Sequence, residues 1–182
     1  MGTEALILQL MGYRNRWPGE SRVASRFVGF LSAHPDGFER SLQAGHVTGS
    51  AWLFDVSGLH VLLINHKKLG MRIQLGGHAD GDGDILRVAM REAREESGLG
   101  SIEPVSTRIF DIDVHQIPAR PGEPEHLHWD VRHALRATGD EECTPSDESH
   151  ELRWVEIANL NRLTQEESML RMAVKWMARP EQ

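Results

Sequence analysis

Three glutamates, Glu92, Glu95 and Glu96, stand at i, i+3 and i+4 in the stretch REAREES, directly behind the glycine- and aspartate-rich run GGHADGDGD of residues 76–84. On an α-helix this spacing sets the three carboxylates on neighbouring positions of one face. Left alone, such a face is mildly self-repelling. Around a divalent cation it is a set of hard oxygen ligands, suited to magnesium, manganese or calcium rather than to zinc or copper. A solvated helix can look the same, with Arg91 and Arg94 screening the glutamates. The preceding loop shifts the balance toward a site, because glycines at 76, 77, 81 and 83 allow a tight turn and a close approach of backbone to ligand. Leu86, Ala89, Met90 and Ala93 form an adjacent apolar stripe that can bury while the charged face stays available.

The register of this segment resembles the Nudix box, G-x5-E-x7-R-E-U-x-E-E-x-G-U with U aliphatic. Gly77, Arg91, Glu92, Ala93, Glu95, Glu96, Gly98 and Leu99 fall in step with it across residues 77–99. The resemblance implies an α/β fold, a Nudix-type α/β/α sandwich with a mixed sheet, here with an N-terminal helical extension. It also implies an enzyme that uses Mg2+ or Mn2+ to hydrolyse a diphosphate linkage in a nucleoside diphosphate derivative. Carried over by position, Glu92, Glu95 and Glu96 become metal ligands, the Gly76 carbonyl a further one, and Arg91 the residue that holds the cluster by a charge-assisted hydrogen bond. Glu92 is the first choice for the base. The motif's first glutamate falls on Gly83, which has no side chain to accept a proton, so Asp80, Asp82 and Asp84 are candidate replacement carboxylates. Gly83 also keeps open a second class, a non-catalytic nucleotide-sensing or regulatory module; the intact glutamate set argues against it. An isomerase on a similar scaffold is disfavoured, because the sequence holds no second acid–base motif organised around a cysteine.

A second group of chemical residues lies further on. In RIFDIDVHQ, Asp111, Asp113 and His115 alternate with apolar residues, and in HLHWDVRHAL, His126, His128, Asp130 and Arg132 alternate in the same way. Paired as strands, they would put three histidines, three aspartates and an arginine on one face. Three readings stay open: a solvated ladder of charge pairs, a substrate wall, or a second metal site using His126 and His128 with Asp130 or His115. His78, within the glycine loop, is a further candidate substrate contact. Lys67 and Lys68 could attract phosphate. Glu148 and Glu151 are weak candidates for an added carboxylate.

These residues need elements to hold them. Helices are expected over 4–14 and 20–33, separated by Pro18-Gly19 and closed by Pro35-Asp36-Gly37. Two strands follow in SAWLFDVSGLHVLLINH around a Ser57-Gly58 turn, and a proline-rich loop, IPARPGEPE, joins the two alternating stretches. LRWVEI reads as a short strand, and a last helix follows Thr164, with Glu167 completing a capping box and Met169, Met172, Ala173 and Trp176 as its stripe. The organisation expected is one domain over 1–182, with a helical extension at 1–43, a Nudix core at 47–160 and a C-terminal helix at 161–182. The N-terminal helices could serve as a lid, as a homodimer contact or as extra core.

Composition sets the outer bounds. Of 182 residues, 27 are acidic and 20 basic, for a formal charge of -7, which opposes attraction to nucleic acid and points to a small nucleotide-type substrate whose charge a metal ion can offset. Cys143 is the only cysteine, so no disulfide forms within the chain, consistent with the cytoplasm. The apolar run TEALILQLM is short and has no positive leader, unlike a signal peptide. No stretch approaches the roughly 20 apolar residues of a membrane span.

Overall fold

A computed structural model describes residues 2–66, 71–139, 142–144 and 149–179. Lys67, Lys68 and Glu148 lie outside these described residues. The chain opens with α1 (Thr3–Arg16), a 3-10 turn (Pro18–Glu20) and α2 (Ser21–Ala33). The strands are β1 (His46–Phe54), β2 (His60–His66), β3 (Met71–Ile73), β4 (Leu75–His78), β5 (Ile102–Pro104), β6 (Asp111–Ile117), β7 (His126–Ala137) and β8 (Ser149–Glu156), with α3 (Ile85–Ser97) between β4 and β5 and α4 (Glu167–Met177) last. They form a mixed sheet with flanking helices. Hydrogen-bonded neighbours run β3-β2-β1-β7-β5, with β4 on β1, β6 on β7 and β8 on β2.

Two compact units divide the chain. The first holds Met1–Ser50, Gly76–Ala89 and Ser106–His133; the second holds Ala51–Leu75, Met90–Val105 and Ala134–Gln182. In the first unit, Leu6, Leu10, Phe27, Phe30, Leu31, Val88, Ile112 and Trp129 belong to one buried cluster. The N-terminal helices are therefore core material: Trp129 stacks on Phe30 with ring centroids 4.3 Å apart and meets Phe27 at 5.3 Å, so burying it also fixes α2. Gly49 allows the first turn of α3 to lie close to β1, since a Cβ there would stand 2.8 Å from Val88 Cγ1. That contact rotates the buried stripe of α3 from the expected one. Ile85, Val88, Ala89 and Ala93 are buried, whereas Leu86 and Met90 are half-buried.

The second unit is built on β2, which pairs antiparallel with β3 and β8. The expected hairpin turn is present, and Asp55 ties it: its Oδ1 accepts the N–H groups of Leu59 and His60 at 3.0 and 3.1 Å. Met169, Met172, Ala173 and Trp176 are buried, as the apolar spacing of α4 predicts, and the Trp176 indole N–H donates to the Gly58 carbonyl at 2.8 Å. The capping box does not form. Thr164 Oγ1 accepts the N–H of Glu166, only two residues on, and the helix starts at Glu167 with no side-chain cap. The 3-10 turn over Ile157–Arg162 is the reason, because the Leu160 carbonyl within it already accepts both the Leu163 and the Thr164 N–H, leaving no Thr164 donor for Glu167.

Candidate functional site

Two aspartates of the loop before α3, Asp82 and Asp84, have structural partners. Asp82 Oδ1 accepts the Asp84 N–H at 2.8 Å, and both its oxygens take the Arg87 guanidinium, at 2.5 and 2.8 Å. Asp84 Oδ1 accepts the Arg87 N–H at 3.3 Å, which makes Asp84 the N-cap of α3 and satisfies one of the helix's four open donors. Asp80 is exposed and sits at φ +49°, beside Gly81 at φ +82°. The acidic residues of this loop thus serve first to turn the chain into the helix. Gly76 lies where β4 passes β1, and a side chain there would collide with Ser50.

Helix α3 continues without a break through Glu92, Glu95 and Glu96, so the three carboxylates keep the i, i+3, i+4 relation that the spacing predicts. Glu92 is held in place. Its Oε1 accepts from Arg91 Nη2 at 2.6 Å, and its side chain is 16% exposed. Glu96 is half-buried and Glu95 exposed. Among the described residues, the grouping of three metal-competent ligand atoms within 4.8 Å of one another is formed by histidines, not by these glutamates.

Strands β6 and β7 pair antiparallel in the register that sets the polar residues opposite each other: Asp111 with Arg132, Asp113 with Asp130 and His115 with His128. The face is not an open ladder. Arg132 is 2% exposed, Asp130 1% and Asp111 0%. The guanidinium meets Asp130 Oδ2 at 2.7 Å and Asp111 and Asp113 at 3.3 Å each. Burial alone would lower the Arg132 pKa; the three carboxylates reverse this and raise it above its ordinary value. Asp130 also accepts the Thr48 and Ser50 hydroxyls at 3.0 and 2.8 Å. Asp130 and Arg132, expected as substrate contacts, are thus enclosed in an internal ion network that joins β1, β6 and β7.

The histidines gather beside this network, with His115 touching both through Asp113 and His128. His78, His126 and His128, also expected at the substrate, come together with His46. Their ring centroids lie 4.9–5.1 Å apart in five of the six pairings, and His115 flanks His128 at 5.5 Å. Burial, then the neighbouring rings, push His128 down to about 2. Burial first, then His78 and His126, push His46 down to about 4. His78 is lowered as well, chiefly by burial and by Arg40, against the opposing pull of Asp80 and Glu123.

A model of the NUDIX domain matches residues 46–177, nearly three quarters of the chain. The chain belongs to the Nudix family. Solved structures agree on the fold. The Ap4A hydrolase of C. elegans, in a binary complex, superposes with a TM-score of 0.58 at 14% identity, covering 72% of this chain and 95% of that one. A NUDIX-family hydrolase from Clostridium perfringens gives 0.54 at 24% identity, with 72% and 96% covered. An ADP-ribose pyrophosphatase from Streptococcus suis gives 0.53 at 21%, with 75% and 93% covered. No curated protein matches.

Arg91, Glu92, Glu95 and Glu96 all lie on α3, and Gly83 belongs to the loop before it. His46 is the participant that motif reasoning missed. A signal for it exists in the sequence: His46, Thr48 and Ser50 alternate with Val47 and Gly49, and this period places all three on one face of β1.

Proposed function

We propose that this Nudix-family protein is a pyrophosphohydrolase that cleaves a diphosphate linkage in a nucleoside diphosphate derivative, with Mg2+ or Mn2+ as cofactor. The observation that carries the reading is α3 itself, on which Glu92, Glu95 and Glu96 share a face and Arg91 fixes Glu92 at 2.6 Å. The donor set fits the ion, since carboxylate oxygens on one helix are the ligand type that magnesium and manganese prefer. When bound, the ion supplies neutralisation of phosphate charge and a more acidic water. The protein's own residues do the rest. Arg91 pins one carboxylate so that it need not reorganise during the reaction, and the Asp82–Arg87 pair with the Asp84 cap holds the loop that leads into the helix. With Gly83 lacking a side chain, Glu92 serves as the base. Asp80 stands behind it, because Asp82 and Asp84 are engaged in building the loop.

The relatives named as an Ap4A hydrolase and an ADP-ribose pyrophosphatase support this reaction class. No helix among the described residues is long and apolar enough to cross a membrane. With a single cysteine and a net acidic chain, we place the protein in the cytoplasm, acting on a small nucleotide-type substrate rather than on nucleic acid. In domain terms, we propose a Nudix domain preceded by a helical extension.

The test is a panel of nucleoside diphosphate derivatives assayed with Mg2+ or Mn2+, beside Glu96→Gln. Turnover in the wild type that falls at least about a hundredfold in the variant, a size usual for loss of one group that stabilises the transition state, supports the proposal. Tight nucleotide binding without turnover across the panel overturns it in favour of a sensor.

A further inference from the structure

We propose that His46, His78, His126 and His128 form a second metal site, one that takes an imidazole-preferring divalent cation of the zinc type and is distinct in residues and ligand chemistry from the glutamates of α3. All four lie in the first unit: His46 at the start of β1, His78 at the end of β4, and His126 and His128 two residues apart on one face of β7.

Geometry comes first. One ring nitrogen from each of His46, His78 and His128 falls within 4.8 Å of the others. Nitrogens about 2.1 Å from a tetrahedral zinc ion are themselves about 3.4 Å apart, so small side-chain rotations close the set. The fourth ring is already at that spacing, with His126 Nε2 and His128 Nε2 separated by 3.3 Å.

The tautomers agree with this assignment. His126 Nδ1 stands 2.9 Å from the Pro124 carbonyl. A carbonyl only accepts, so Nδ1 donates to it and Nε2 is the nitrogen that faces His128, the outer-shell arrangement usual for metal-bound histidine. His115 Nδ1 meets Asp113 Oδ2 at 3.2 Å on the flank of the group. That contact orients the ring next to His128.

Burial supplies the independent observation. His46 is 2% exposed, and neither of its ring nitrogens has a partner in hydrogen-bonding geometry, although the Leu42 backbone favours the charged ring. Buried polar atoms are nearly always satisfied, and an orphaned pair inside a cluster of like groups calls for a ligand. Four imidazole donors suit zinc, cobalt or nickel and disfavour magnesium.

The experiment strips the full-length protein with chelator and titrates it with Zn2+ and, separately, with Co2+, followed by calorimetry and by the visible absorption of bound cobalt. One equivalent of Zn2+ should bind in the wild type and in Glu96→Gln alike, undisturbed by millimolar Mg2+. His128→Gln and His78→Gln, both at half-buried positions, should each weaken binding at least tenfold and change the cobalt spectrum, while circular dichroism of the metal-free proteins stays as in the wild type. Absence of stoichiometric Zn2+ binding by the folded wild type overturns the proposal. So does binding that survives the paired His78→Gln/His128→Gln substitution, or binding that disappears with Glu96→Gln alone. Since Glu96→Gln tests the hydrolase reading by turnover and this site by retained zinc, the two proposals fail separately.

Discussion

Replacing Arg132 with methionine leaves a side chain of similar length and removes a positive charge from among three carboxylates, two of which, Asp111 and Asp130, are 0% and 1% exposed. Thr48 and Ser50 can continue to donate to Asp130. Near Asp111 the Tyr13 hydroxyl stands at 3.5 Å, a long contact that compensates little. Removing one partner of a buried ion pair costs about 3–5 kcal/mol, because the remaining charge is left without its counter-ion. At roughly 2–4 °C per kcal/mol for a chain of this size, the melting temperature should fall by about 6–20 °C. Urea denaturation followed by circular dichroism measures the loss directly. Adding Asp111→Asn to Arg132→Met should return part of it, since the second change removes one uncompensated charge, and the cycle isolates the coupling. A loss below about 1 kcal/mol, the range of exposed pairs, would refute the buried-network argument. An unchanged melting temperature with a raised KM would place the guanidinium at the substrate instead.

Two further outcomes rest on single residues. His133 is 1% exposed, and burial pushes it from 6.5 to about 4, against the pull of the Arg108 backbone and Asp84. Its folded pKa lies below its unfolded value, so stability is full above pH 6.5 and declines as pH falls toward 4, by up to about 3 kcal/mol. His133→Met should make the urea midpoint less steep in pH over that window; a wild-type midpoint that stays level from pH 7 to 4.5 contradicts the assignment. Asp84→Ala removes the N-cap of α3 and should cost about 1 kcal/mol while turnover persists. Lost turnover at unchanged stability would make Asp84 a catalytic group rather than a cap.

The glutamate face could be read before any coordinates because it depends on one helix. Positions i, i+3 and i+4 of a regular helix are neighbours whatever surrounds them, and α3 does run unbroken from Ile85 to Ser97. The pairing of β6 with β7 was legible for a similar reason: each strand alternates with period two, and a short loop joins them. The aspartates of the loop were less legible. Their composition suggested ligands, but Asp82 and Asp84 turn inward to Arg87 and to the helix's own first N–H groups. A carboxylate near a helix start competes for local donors before it can serve a ligand.

The sequence alone determined the local objects: the helix that carries the three carboxylates, the alternating strands, and the apolar stripe of α4. Only the tertiary structure decided what those objects face. Arg132 became a buried counter-ion, because β6 and β7 set Asp111, Asp113 and Asp130 around it while β1 brings Thr48 and Ser50 against Asp130. His46 joined His78, His126 and His128 from three different strands. Local pattern fixes which way a side chain points along its own element, whereas burial and partners arise from chain segments far apart, 82 residues between Thr48 and Asp130, and no periodicity within either segment encodes their meeting.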